Sequence, residues 1–304
     1  MRNRFIQLLG ERAAADPKIC LVTGDLGYSV LEDFAARHPG RYVNAGVAEQ
    51  AMAGFAAGLA MTGRKVFTYS IVNFAVTRCL EQIRNDICHH GADVCVVAVG
   101  GGVPYGSLGY THMGVEDVAF MRGLPGMRVY TPADRMEVEA CLAEILAQPG
   151  PAYLRLAKGG EPDVHASPPR LPGLVEMAPA APLAVVAAGA ILAEAAKAVA
   201  GLRDKGLAVG LYSAPHCGPR AEADLRALAR TARHIVTVEE HLRAGGLGSW
   251  AAETLSGGAG APVLTRLGLE HAHLEETGSQ AHLRRLNGLD AESLAATLRS
   301  LARA

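Results

Sequence analysis

At 304 residues, 50% of them hydrophobic and with a formal net charge of −1, the chain has room for two ordinary domains with their own cores, and disorder is excluded. No charge excess of the sort that nucleic acid or an anionic membrane requires is present, which leaves small molecules and proteins as partners. Six cysteines (Cys20, Cys79, Cys88, Cys95, Cys141 and Cys217) fall at irregular spacings without a CxxC pair, against both a disulfide framework and a zinc site.

The N-terminal stretch "MRNRFIQLLGERAAADPK" has a short apolar patch soon broken by charge, and no apolar run spans a bilayer, which predicts a soluble cytoplasmic protein. Strand-like runs then alternate with helical stretches: "KICLVTG", a helix near 29–38, "RYVNAG", an Ala-rich helix, "KVFTYS", a helix near 74–88, "DVCVVAVG", "MRVYTP", a helix near 133–147 and "PAYLRLA". That alternation predicts a parallel sheet covered on both faces and joined by right-handed crossovers. From 159 to 182 the text turns Pro-rich and aperiodic and reads as a linker. "LAVVAAG", a helix near 190–203, "LAVGLYSA", a helix near 220–232, "HIVTVEE", a helix near 247–255 and "APVLTRLGL" repeat the pattern on a smaller scale. The expected organisation is α/β throughout: a first domain at 1–160, a linker at 161–182 and a second domain at 183–304, each a mostly parallel sheet flanked by helices.

Ligands of open parallel sheets bind beyond the strand C-termini, so the residues after each apolar run are the candidates. Asp25 and Ser29 follow the first strand, Glu49 the second, Phe74 and Arg78 the third, and a Gly-rich loop leading to His112 the fourth. Glu49 is the single charge in "NAGVAEQAMAGFAAGLA", whose Ala and Gly content predicts a helix buried almost all round. Its carboxylate either meets the positive end of that helix or sits buried and must be paired, hydrogen-bonded or protonated. Asp25 and Ser29 are also good turn residues, Phe74 has the alternative of an ordinary core position, and His112 that of a polar residue ahead of a helix.

In this order, "VNAGVAEQAMAGFAAGLA", "THMGVEDVAFMRGLPGMRVYTPAD" and "TVEEHLRAGGLGSWAAETL" resemble the pyrimidine-binding and C-terminal domains of the transketolase family of thiamin diphosphate enzymes, over nearly the whole chain. The resemblance implies that Glu49 is the cofactor-activating carboxyl. A short hydrogen bond to the aminopyrimidine nitrogen would make the ring's own amino group basic enough to take the thiazolium C2 proton. Phe74 would stack on that ring, with Ile71 and Arg78 beside it; aromatics often occur at the places of Ile71 and Thr77 in sugar transketolases, so this wall is thinner. His112 would donate a hydrogen bond to the substrate, with Asp25 and Ser29 at the entrance. Lys158 stands where the family usually has a substrate-phosphate Arg, and offers a point charge in place of a bidentate fork. Gly100 and Leu108 replace a His and an Asp that usually read donor hydroxyls, which predicts a donor other than an ordinary keto-sugar phosphate. Glu239, Glu240 and His241 read as interdomain or subunit-interface residues.

The family's "GDG…N" metal and diphosphate motif is missing, since "TGDLG" lacks a Gly directly after Asp25. No metal ligands are therefore assigned to this chain, and the diphosphate and Mg2+ would be held mainly by an N-terminal-type partner subunit in an α2β2 assembly that includes self-association. The implied function is a C-terminal subunit of a split transketolase-like transferase acting on sugars or 2-oxoacids. The alternatives are a deoxyxylulose phosphate synthase-like enzyme or a 2-oxoacid dehydrogenase β subunit using pyruvate, and a non-catalytic scaffold.

Overall fold

Runs of β-branched and aliphatic residues that are buried along their whole length make the strands, as a sheet covered on both faces requires. The computed structural model describes residues 1–171, 173–257 and 260–303. The first domain contains α1 (Arg2–Ala15), β1 (Ile19–Thr23), α2 (Glu32–Arg37), β2 (Tyr42–Asn44), α3 (Glu49–Met61), β3 (Lys65–Ile71), α4 (Val72–Ala75), α5 (Leu80–Gln82), β4 (Val94–Val99), α6 (Asp117–Arg122), β5 (Arg128–Tyr130), α7 (Arg135–Ala147) and β6 (Ala152–Leu156). Its sheet is parallel in the order β2-β1-β3-β4-β6-β5. One face packs on α3, α4 and the helical turn at Ile83–Cys88 through Met52, Ala53, Ala56, Val72 and Ile83; the other packs on α1 and α7 through Phe5, Leu9, Val138 and Leu142.

The second domain contains β7 (Val175–Ala178), β8 (Leu183–Ala188), α8 (Leu192–Arg203), β9 (Val209–Ser213), α9 (Pro219–Leu228), β10 (His234–Leu242), α10 (Leu247–Leu255), β11 (Val263–Leu269), α11 (Gln280–Leu286) and α12 (Ala291–Leu301). The order is β11-β10-β8-β9-β7, parallel except for β7, which runs antiparallel to β9 at the edge. Among the described residues no helix is long and apolar enough to cross a membrane.

Three differences from the sequence reading have physical causes. The expected linker, which includes Pro172 outside the described residues, ends in β7, because Val175 and Glu176 pair with Ser213 and Tyr212 at an otherwise open sheet edge. The helix expected near 74–88 is broken into α4, α5 and a π-helical turn over Ile83–Cys88, with the Cys79 thiol donating to the Phe74 carbonyl at the break. Finally, α3 is buried on one side only. Residues 52, 53, 56, 57 and 60 face the sheet at helical spacing, while Phe55 and Met61 point outward at 46% and 58% exposure.

Asp134 caps α7 through Met136 and Glu137 N–H (both 2.9 Å) and also holds the chain beyond β6, accepting from His165 N–H (2.8 Å) and Nδ1 (3.0 Å). Burial pushes the Glu137 carboxyl up to about 7, and His165 is raised by its bond to Asp134 although burial opposes it. Both groups bind protons more tightly folded than unfolded, so their stabilisation is complete at low pH and is lost as pH rises through the folded values. The expected outcome is that, between pH 5 and pH 8, the thermal midpoint of Glu137→Gln, whose amide oxygen still accepts the Ala133 N–H, changes less in the destabilising direction than that of the parent. Calorimetry across that range measures it; identical slopes for parent and variant would remove Glu137 from the account.

Candidate active site

The C-terminal ends of β1, β2, β3 and β4 converge on one side of the first domain and carry most of the candidates. Glu49 opens α3 and is 1% exposed. Its carboxylate is paired: Arg78 Nη1 donates to Oε2 at 2.7 Å, from a side chain that is itself 44% exposed. The guanidinium lies over the Phe74 ring, 4.6 Å from its centroid. Phe74 in turn makes a T-shaped contact with His112, with ring centroids 5.4 Å apart. Four residues from three separate segments thus form one continuous chain of contacts. Gly24, at the end of β1, makes room for it, since a Cβ there would stand 3.0 Å from Glu49 Cγ.

His112 is placed by a neighbour that carries no signal of its own in the sequence. Asn73, beside Phe74 on α4, donates from Nδ2 to the carbonyls of Thr111 (2.9 Å) and Tyr110 (3.2 Å). Asp25 and Ser29 both adopt left-handed backbone conformations, with φ of 57° and 62°. Asp25 exchanges hydrogen bonds with Asn44 (2.8 and 3.1 Å), and Ser29 N–H donates to Glu32 (2.7 Å). Such conformations cost of order 1–3 kcal/mol and concentrate at functional sites.

A second corner lies at the ends of β3, β4 and β6. Ile71, Tyr69, Ser70, Tyr105 and Arg2 line a cavity of about 200 Å³. Arg2 also borders a neighbouring cavity of about 330 Å³ with Lys158, whose ammonium sits 4.8 Å from the Tyr105 ring centroid. Sequence reasoning misses Arg2 because it falls among several charges in a stretch with no assigned element; α1 carries it here. Gly100, with φ of 87°, lies directly beneath Tyr105, and a side chain at that position would collide with the ring. Leu108 stands apart from these contacts on an outer turn, 56% exposed. Among the described residues no group of three or more His, Cys, Asp or Glu side chains is arranged to hold a metal ion.

Residues 1–161 match the family described as "Transketolase, pyrimidine binding domain" and residues 176–294 match "Transketolase, C-terminal domain". The chain belongs to the transketolase family. Within it, the chain is 36% identical over 259 residues to a subunit of the apulose-4-phosphate transketolase of Phocaeicola vulgatus, covering 84% of this chain and 83% of that one. It is 34% identical over 299 residues to the 6-deoxy-6-sulfo-D-fructose transketolase subunit SqwH of Clostridium sp., covering 97% and 92%. A solved structure described as a split gene transketolase, an inactive beta4 tetramer, superimposes with a TM-score of 0.88 at 31% identity, over 99% of this chain and 97% of that one. The two-domain α/β architecture is thus the transketolase arrangement of a pyrimidine-binding domain followed by a C-terminal domain.

Pairing of a buried carboxylate with a half-exposed arginine makes a specific energetic demand on this end of the sheet. Arg78→Met leaves Glu49 buried without its cation, and about 1–2 kcal/mol of stability is expected to be lost, less than for a fully buried pair because water reaches the arginine. Glu49→Gln removes the charge, so the double variant is expected to be more stable than the sum of the single effects requires. Denaturant titration of the four proteins checks this; strict additivity would mean the pair contributes no coupling.

Proposed function

We propose that this chain is the subunit of a two-chain transketolase that holds the aminopyrimidine end of thiamin diphosphate, and that with its partner it moves a two-carbon unit from a ketose or related donor to an aldehyde acceptor. The observation that carries this reading is the Glu49–Arg78–Phe74–His112 constellation on the pyrimidine-binding domain. Arg78 supports the fit to the cofactor: a planar cation that gives an N–H to a buried carboxylate while lying over Phe74 makes the contacts a protonated nitrogen heterocycle would make there.

When bound, thiamin diphosphate supplies the nucleophilic carbon that no protein side chain offers for this chemistry. Glu49 holds a proton at the ring nitrogen, in surroundings dry enough to strengthen the bond. Phe74 supports the ring's face, contributing about 0.5–1.5 kcal/mol beyond its area burial. Ile71 adds an apolar wall, and Arg78, on a half-exposed side chain, is free to yield its bond to Glu49. His112 presents a donor to the substrate oxygen, oriented by the pinned backbone of Thr111. Asp25 and Ser29 border the entrance. Arg2 and Lys158 make a cationic corner for a distal anion on the sugar, in keeping with relatives named for a phosphorylated and a sulfonated sugar.

The diphosphate and Mg2+ are assigned mainly to the partner subunit in an α2β2 assembly, in line with the relatives' designations as subunits. Exposed Val47 ahead of α3, with Phe55 and Met61 along that helix, supports subunit contact there. The first domain runs from 1 to 160, the second, expected at 183–304, takes in β7 as well, and the compartment is the cytoplasm.

Two outcomes test the reading on the complex with its diphosphate-binding partner. Glu49→Gln is expected to keep its circular dichroism but to lose about 10²–10⁴-fold in turnover and in exchange of the cofactor's C2 proton. Unchanged exchange would return Glu49 to a structural role. In a donor screen, the filled space at Gly100 and the exposed Leu108 predict poor use of xylulose 5-phosphate and better use of a deoxygenated or modified sugar, or of pyruvate. Efficient use of xylulose 5-phosphate by the parent, with no gain in Leu108→Asp, would sink this account of donor choice.

A further inference from the structure

The loop that leads to His112 rests on the other domain. Neighbouring glutamates on β10 point to opposite sides, as strand residues must. Glu239 turns into its own domain and accepts from Leu247 and Gly248 N–H at the start of α10 (2.7 and 2.8 Å). Glu240 crosses to the first domain, where Oε1 accepts the Val103 N–H at 2.8 Å. Four further donations fix that carboxylate, from Gln280 Nε2 to Oε1 and Oε2 (2.8 and 3.1 Å) and from Arg284 Nη2 and Nε to Oε2 (2.6 and 3.0 Å). Glu240 is 3% exposed, and the approach is close enough that a Cβ on Gly102, whose φ is 88°, would stand 2.7 Å from its carboxyl carbon.

From that anchor a short path reaches the candidate site. Gly102 and Gly114 exchange backbone hydrogen bonds (2.7 and 2.9 Å), tying the start of the loop to its return two residues past His112. Arg155 Nη2 donates both to the Gly114 carbonyl (2.7 Å) and to the Glu240 carbonyl (3.0 Å). Val103, Met113 and Val115 share one apolar core with Leu283 and the second domain's strands, and Gly278 N–H donates to the Gly106 carbonyl at 3.2 Å.

We infer that Glu240 is a positioning residue for the transferase reaction: held by Arg284 and Gln280, it fixes the loop at 100–114 so that His112 keeps its T-shaped contact with Phe74. The inference rests on the placement of His112 in the active site proposed above. A buried ion pair adds little net stability but is strongly directional, which is what holding one backbone N–H in register requires. Glu49 lies on α3, outside this path, so activation of the cofactor does not depend on Glu240.

The test uses Glu240→Gln and Arg284→Met, with Arg284→Lys as the conservative control. By hydrogen exchange on the chain alone, protection in 100–112 is expected to drop about tenfold in the first two variants, the scale of one weakened charge-assisted hydrogen bond, while α3 keeps its protection. In the complex with the diphosphate-binding partner, kcat is expected to fall about 10²-fold, the cost of a small misplacement of a reacting group, with exchange of the cofactor's C2 proton unchanged. Arg284→Lys, which keeps the charge, is expected to recover part of that loss. Undiminished loop protection, protection lost evenly across both domains, or kcat and cofactor-proton exchange falling together would each overturn the inference. A parent complex without thiamin-dependent turnover would instead sink the proposed function, and the hydrogen-exchange arm would still decide whether Glu240 holds the loop.

Discussion

A carboxylate with 1% exposure at the end of a parallel sheet is the constraint around which the first domain is organised. Water cannot stabilise it, so the protein must bring a positive group or a strong donor, and the geometry of the partner is then fixed by the carboxylate. Arg78 meets that demand from the far side of β3, and its guanidinium is positioned against Phe74 in doing so. Between these two residues the backbone leaves the regular α-helical path, with a 3-10 turn at Thr77–Cys79 and the π-helical turn beyond it.

The domains are joined by a second set of buried charges. Arg155 on β6 donates to Asp117 (2.7 and 3.2 Å), to the Gly114 carbonyl and to the Glu240 carbonyl, while Tyr153 donates to Asp117. Burial would raise Asp117, but the Arg155 guanidinium holds it below the usual carboxylate range. Each of these groups is costly to bury alone, so the network is all or nothing, and that suits an interface that must have one arrangement. Its members contact the loop on one side and the second domain on the other. The C-terminal domain therefore contributes to the site through the backbone it holds.

The alternation of strands and helices, the position of Glu49 and the cluster of candidates at the strand ends are legible in the sequence because they follow from periodicity and from short runs of residues. Asn73, Arg2 and the Glu240–Arg284 pair are not. Val103 and Glu240 are 137 residues apart, and side chains that meet at that separation leave no local pattern. The α1 helix escapes a sequence reading for a related reason: its buried Phe5, Leu9 and Ala13 recur at helical spacing, but charges at 2, 4, 11 and 12 interrupt the apolar text. Glu239, Glu240 and His241 read in the sequence as one group of interface residues, and the structure divides them further, since Glu239 serves its own domain and Glu240 the neighbouring one.

The left-handed backbone at Ser29 has a bearing on how this protein responds to selection and to engineering. Glycine would adopt that conformation without steric cost, so a serine there is a position at which the fold has room to become more stable by roughly 1 kcal/mol. Any search that rewards thermal tolerance alone would be drawn to Ser29→Gly early, because the residue is exposed and nothing in the core opposes the change. The hydroxyl would then be lost with no warning from the melting curve. A library screened for heat resistance and one screened for turnover should part company at this residue if it serves the entrance proposed above, and agreement between the two libraries would mark the serine as dispensable.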